Sequence, residues 1–353
     1  GDAGKAEDDD STLERLLGRK PEGDAPKDAT PKGFVQRLLA DAVAPHIVPE
    51  APPNHELYVR AVNDSLSSQM NDVLHHPAFQ ELESLWRGVQ WMVDELGGND
   101  AIHIHLLDVT KRELADDLRA AEGDLDRSAL HRLVVDEQSR KHGSAPWSAL
   151  VAAVAFDVGE DDLALLSGLG AVAAAAGGPL LAEADAAFVG TDSLPAHPHQ
   201  SEWTIEPDVA ERIASLRETP VAKWIGLALP RILLRVPYGP GADEIDSFPY
   251  VEMPPGSPHE SYVWGSPAWA VALLLGRAYD DAAWRMSPGD VVDLADLPAH
   301  VYEDDGERKL KPCAEVLLNE RAMTQVLEAG LMPLASYADR NAVRVPRLQS
   351  IAS

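Results

Sequence analysis

Few places in this chain of 353 residues have the residue types and spacing for chemistry. Gly168-Leu-Gly170-Ala-Val-Ala173 has the spacing of a dinucleotide fingerprint, where a tight turn brings backbone close to a pyrophosphate. Asp161 to Ser167, just before it, reads as helix, whereas that chemistry needs a strand entering a turn. Small residues for close helix packing are the better account. His103 and His105 would share one strand face, and His197 and His199 share a loop. Either pair with a carboxylate could ligate zinc, and His103 with His105 could support a metal hydrolase, but there is no clear third ligand. Ordinary, partly buried histidines are the simpler reading. There is no Gly-x-Ser-x-Gly elbow. Cys313, beside Pro312, reads as a lone buried thiol rather than a nucleophile. Arg231 and Arg235 bracket an apolar run, with Asp243, Glu244 and Asp246 downstream; a salt-bridge network is expected there in preference to an anion site. Glu303-Asp304-Asp305 reads as a water-exposed turn. The expectation is a non-enzyme with no cofactor and no metal.

The bulk composition narrows the partners. Acidic residues number 58 against 30 basic, a formal net charge of −28. Such a field opposes nucleic acid, whose binding depends on Lys and Arg neutralising phosphates. It also opposes an anionic membrane surface. The acidity serves either solubility, of an abundant protein or in a salty milieu, or complementarity to a basic partner subunit. One cysteine excludes an internal disulfide framework. With no secretory leader in view and no run near ~20 apolar residues, a cytoplasmic protein without membrane insertion is expected.

The elements that would carry these residues begin after a tail. Residues 1–53 are acidic and rich in Pro and Gly, and read as largely flexible, with two short amphipathic pieces at Leu13–Leu17 and Phe34–Ala42. A helix is expected from Tyr58 to Leu74. Pro77 opens the next, with His76 as its N-cap. Phe79, Leu82, Trp86, Val89, Val93 and Leu96 then draw one apolar stripe, widened by Leu85 and Met92, and Gly97-Gly98 supplies a left-handed stop. Ala101 to Val109 alternates like a strand, and Thr110 with Glu113 forms a capping box for a helix to about Ala121. Further helices are expected over Ser128 to Lys141, stopping at Gly143, over Asp161 to Gly177, Pro207 to Arg217, Ser266 to Trp284, and Asn319 to Ala329, which Gly330 stops. Strands are expected at Ala149–Phe156, Pro179–Ala182, Trp224–Leu229, Glu315–Leu318 and Leu331–Ala335. This alternation predicts a mixed α/β fold with a mainly parallel central sheet flanked by helices. The folded domain covers 54–350, with a looser sub-domain at about 190–310.

Four segments carry a resemblance. His75-His76-Pro77-Ala-Phe79-Gln-Glu-Leu82-Glu-Ser-Leu-Trp86-Arg87-Gly88 is similar to the signature near the start of the large sheath subunit of type VI secretion systems, the TssC/VipB family. Leu229-Pro230-Arg231-Ile-Leu-Leu-Arg235-Val-Pro237-Tyr238-Gly239 resembles a second block of that family. Tyr262-Val-Trp264-Gly265 resembles a third, with Ser266 where the family has Asn. Lys311-Pro-Cys-Ala-Glu315, followed by the Asn319–Gly330 helix and Leu331-Met-Pro-Leu334, resembles a fourth.

The resemblance implies a contractile-sheath-subunit core in which the signature residues pack rather than react. It implies pairing with a small sheath subunit of the TssB/VipA kind and self-association in a ring or helical assembly. That assembly surrounds an inner tube and is recycled by an ATPase, both contacted indirectly. Family members continue past the segment matching Gln349-Ser350 into a strand-exchange domain, which is expected to be missing here. A fragment, a separately encoded half, or a shortened paralogue accounts for that difference. The paralogue would be a non-contractile shell, a baseplate-associated factor or a regulatory binding module.

Overall fold

Three short, nearly continuous apolar runs, residues 150–156, 180–184 and 225–229, become strands of one parallel sheet. The computed structural model describes residues 55–137, 146–304 and 306–353. The tail, its pieces Leu13–Leu17 and Phe34–Ala42, the helix end at Lys141 and Gly143, and Asp305 lie outside the described residues. The chain divides into two units, Gly1–Arg60 and Ala61–Ser353. Of the first, only the opening of one helix is described.

In chain order, α1 (His55–Leu74), α2 (Pro77–Leu96) and α3 (Lys111–Ala120) come first. Then follow β1 (Leu150–Phe156), α4 (Glu160–Ala176), β2 (Leu180–Ala184), α5 (Pro207–Arg217) and β3 (Ile225–Leu229). Two short strands come next, β4 (Ile232–Leu233) and β5 (Trp264–Gly265), and then α6 (Pro267–Ala282) and β6 (Asp293–Leu294). A hairpin of β7 (His300–Asp304) and β8 (Glu307–Lys311) precedes α7 (Glu320–Glu328). The last strands are β9 (Met332–Pro333), β10 (Ala335–Ser336) and β11 (Val343–Arg344).

The central sheet has the order β1-β2-β3-β9 and is parallel throughout, with Leu150 opposite Leu180, Leu180 opposite Ile225, and Ala228 opposite Met332. A parallel sheet needs helices on both faces. Period-two alternation supplies both surfaces. Leu180, Ala182, Leu227 and Leu229 pack with Leu166, Leu169, Leu216 and Val326 of α4, α5 and α7. Leu181, Ala228 and Met332 pack with α6 on the opposite face. α6 is buried almost all round, as its continuous apolar sequence requires. Small antiparallel sheets are added, β10-β11-β6, β4-β5 and β7-β8. The architecture is the mixed α/β class expected. Among the described residues no helix is long and apolar enough to cross a membrane.

Several elements differ from expectation. Gly97 is right-handed (φ −68°, ψ −7°), so α2 does not end on a left-handed glycine. Instead Asn99 closes the end, bonding Asp280 through its side-chain amide and receiving the Ala101 N–H. The helix expected from Ser128 runs over Ala129–His131, widens to a π-helix over Arg132–Asp136 and is helical again at Glu137, where the described residues stop. Glu315–Leu318 is not a strand; only Ala314 bridges Ile232, and Glu315 turns its side chain onto Arg231. Residues 101–109 form no ladder at all.

Candidate functional site

The signature begins on α2, which starts as expected with His76 extended (φ −69°, ψ 126°) and Pro77 in the first turn. Its buried residues are Gly88, Met92 and Leu96, a line offset from the stripe read in the sequence. α2 lies parallel to α6: Gly88 faces Trp269, Leu96 faces Gly276, and the Arg277 guanidinium binds Glu95. A Cβ at residue 88 would stand 2.3 Å from the Trp269 indole nitrogen, so only glycine lets the axes approach this closely. Phe79, Leu82, Trp86 and Val93 remain 38%, 52%, 60% and 47% exposed. At 100° per residue these four fall within about 60° of one another, beside the buried line. The apolar arc is therefore twice as wide as this fold consumes.

The polar side of α2 is consumed by the second signature segment. Arg235, 7% exposed, makes a two-pronged contact with Glu252 at 2.6 and 2.8 Å, and donates from Nε to Glu83 at 2.7 Å. Arg87 donates to the same Glu83 oxygen at 2.6 Å and reaches the Tyr238 hydroxyl at 3.4 Å. The Tyr238 N–H donates to Glu252, and the Arg235 guanidinium lies over the Tyr238 ring at 4.5 Å. Burial works against the Glu83 carboxylate, but hydrogen bonds and charge from Arg235 and Arg87 hold its pKa below the ordinary range. Pro237 and Gly239 are buried beside this network, and the Gly239 N–H bonds the Asp243 carbonyl. A network forms, but Asp243, Glu244 and Asp246 do not supply its carboxylates.

A second network closes around Arg231, which follows the cis Leu229–Pro230 peptide at the end of β3. Its guanidinium binds Glu315, through Nε at 3.1 Å and also through Nη2, and Glu260 at 3.0 Å. Lys311 of β8 donates to His259 Nδ1 at 2.6 Å, leaving Nε2–H to face Glu315 at 3.2 Å. The His259 ring stacks on Trp264 at 4.9 Å. Burial opposes ionisation of Glu315, yet bonds from His259 and Arg231 hold it at about 2. On β2, burial raises Glu183 to about 7 against the pull of Arg231, with a hydrogen bond to Ser266. Gly265 lies against Leu234, where a Cβ would stand 2.2 Å from a methyl carbon. Ligand atoms of His259, Glu260 and Glu315 lie within 4.8 Å of one another, the spacing of a cation site. The Arg231 guanidinium already occupies that position electrostatically.

The other candidates stay apart from these networks. His103 and His105 are exposed, and His105 meets the Trp147 ring edge at 5.2 Å. His197 sits between Asp192 and Glu202 at 3.5 and 3.4 Å, while His199 begins a short turn. Gly168 and Gly170 are inside α4, against Leu118 and Ile225, so the fingerprint spacing serves helix packing. Cys313 is buried, and burial raises its thiol to about 11. Glu303 is on β7, next to the hairpin's turn. The sequence reading missed Glu83, Glu252, Glu260, His259 and Glu183. Glu83 had a signal, its four-residue spacing from Arg87. Glu252 sits in a loop and Glu260 in a short 3₁₀ turn over His259–Ser261, and neither had one.

The arrangement binds charge to charge and surface to surface, and it leaves an apolar stripe open. The comparisons agree with such a body. The model of the VipB family (EvpB, tail sheath N-terminal domain) matches residues 56–351. The chain is 29% identical over 287 residues to the type VI secretion system sheath protein TssC1 of Pseudomonas aeruginosa. That alignment covers 79% of this chain and 57% of the relative, so the chain spans little more than half the relative's length. All four resembling segments fall inside the matched span, and the chain belongs to the VipB tail sheath N-terminal domain family.

Proposed function

We propose that the chain is a non-enzymatic structural subunit of a type VI secretion-like contractile sheath or a derived assembly, pairing in the cytoplasm with a small sheath subunit. The observation carrying this reading is the open apolar arc of α2, Phe79, Leu82, Trp86 and Val93. Such a stripe is costly to leave in water and is the ordinary mark of an interface. The signature residues behind it, Arg87, Gly88, Arg231 and Arg235, are engaged in internal contacts, which supports a packing role for them. The pair would self-associate in a ring or helix, with tube protein and recycling ATPase as indirect partners. Residues 54–350 would act as one sheath domain with a looser part at about 190–310, which limited proteolysis would cut first.

Co-expression with a small sheath subunit of the TssB/VipA kind, followed by sedimentation and electron microscopy, tests the proposal. Rings or tubes containing both chains are expected. A chain that stays monomeric and captures no small subunit would overturn it.

A further inference from the structure

Lys311 ends β8, opposite His300 of β7. Its amine is half-buried over two rings, 5.3 Å from the centre of Tyr262 and 6.0 Å from that of Trp264. Nζ lies 2.6 Å from His259 Nδ1, and the other ring nitrogen, Nε2, lies 3.2 Å from Glu315. An ammonium can only donate, so Nδ1 accepts and Nε2 presents its hydrogen to the carboxylate. The imidazole is held in this pose by its stack on Trp264, whose indole nitrogen donates to the His259 carbonyl at 3.1 Å. Glu315 is held in turn by Arg231. The geometry differs from a plain ion pair, since the amine bonds the imidazole and the imidazole bonds the carboxylate. A nucleophile, a base within reach of it and a carboxylate that orients the base are the parts that activate weak nucleophiles. Burial works against the charged amine and lowers its pKa, while Glu315 and Glu260 pull the other way.

We propose that Lys311 is an acylation site, its Nζ attacking the carbonyl of an activated acyl donor, a thioester or an acyl phosphate, with His259 as base and Glu315 orienting the ring. The ammonium first gives one proton to water. The free amine then forms the Nζ–C bond, and the attacking nitrogen, acidic once bonded to that carbon, passes a second proton to His259 Nδ1. The thiolate or phosphate leaves with the electron pair of the broken C–S or C–O bond, and His259 returns its proton to water. The product is a stable amide, so the reaction is a stoichiometric modification without turnover. It removes one positive charge from a cluster in which Arg231 and Lys311 face Glu260 and Glu315. Arg231 is left against both carboxylates, and the cation over Tyr262 is lost. The root of the β7–β8 hairpin keeps the Tyr262–His300 bond at 2.8 Å but loses its charged tie to the body. Acylation would therefore act as a charge switch on this hairpin.

Treating the full chain with acetyl phosphate and, separately, with acetyl-coenzyme A tests this, with acetylation followed at each lysine by peptide mass spectrometry. Lys223, exposed on a short turn, is the internal reference. With at least one donor Lys311 should label about tenfold faster than Lys223 or more, and the donor that does so identifies the class. His259→Asn keeps an acceptor for the Lys311 bond but takes up no proton, so it should bring the ratio to about one or below. Circular dichroism checks that this variant is folded. Should it not fold, the wild-type pH profile decides. Between about pH 9 and pH 7 the Lys311 rate should fall less than the Lys223 rate, because the buried amine gives up its proton more readily. Labelling of Lys311 no faster than Lys223 with both donors would overturn the proposal and leave the contact a structural tie. An unchanged ratio in folded His259→Asn, or a pH profile as steep as that of Lys223, would overturn it as well.

Discussion

Arg235 is where the most charge meets the least water. Its guanidinium is shared between Glu252 and Glu83, both largely buried, and burial works against its pKa while the two carboxylates raise it. Removing one member of such a set leaves uncompensated buried charge, which costs about 3–5 kcal/mol. Arg235→Met, which keeps much of the packing, is therefore expected to lower urea stability by that amount at pH 7. Glu183 gives a second handle. Its folded pKa, about 7, lies above the 4.5 of the free side chain. The folded state thus holds a proton the unfolded chain has lost, and that contribution is complete below about 4.5 and lost as pH rises through 7. Glu315 has the opposite sign, since its pKa of about 2 makes its contribution present above 4.5 and lost only toward pH 2. Glu183→Gln, neutral at every pH, should gain about 1–3 kcal/mol relative to wild type between pH 5 and pH 8. Urea midpoints at both pH values, with unchanged m, check it.

At the scale of elements, the helices with local signals were legible. Pro77, the Thr110–Glu113 capping box, Pro207 and the Asn319 cap all mark starts that the structure keeps. The parallel sheet was legible as well, because each strand is a short apolar run between turn residues. What sequence could not settle was direction. The apolar residues of α2 were visible, but which half faces inward depends on Trp269 and Gly276, distant in sequence. Residues 101–109 show the same thing, since alternation records strand character without saying whether a partner lies in the same chain. The networks of Arg231 and Arg235 were half legible, the arginines and Glu315 from the resembling segments and Glu83 from its spacing to Arg87, but Glu252 and Glu260 from nothing local. The exposed half of α2 then makes a prediction. Leu82→Ser and Trp86→Ser remove apolar surface that is already in water, so monomer stability should change by less than about 0.5 kcal/mol. If the arc is an interface centre, each should weaken small-subunit binding by about 2 kcal/mol or more, roughly thirtyfold. Thermal melts and a pull-down titration separate the two effects.

For the whole molecule, charge decides which surfaces meet. A net −28 sets a negative field around every copy, so identical chains repel until something neutralises them. A basic partner is drawn in by the same field. The open arc of α2 and residues 103–109 both expose apolar side chains, so on the proposed reading the field would select the partner and apolar contact would hold it. Screening should act in opposite directions on the two associations. Raising salt from about 0.05 to 0.5 M shortens the Debye length from roughly 14 to 4 Å. The on-rate for a basic small subunit should then fall about tenfold or more, with little change in the off-rate. Self-association of the isolated chain should rise over the same range, because only the repulsion is screened while the apolar stripe remains. Stopped-flow binding and sedimentation at matched salt concentrations measure both. An on-rate indifferent to salt would mean that the acidity serves solubility alone, and that the partner is recognised by shape without help from the field.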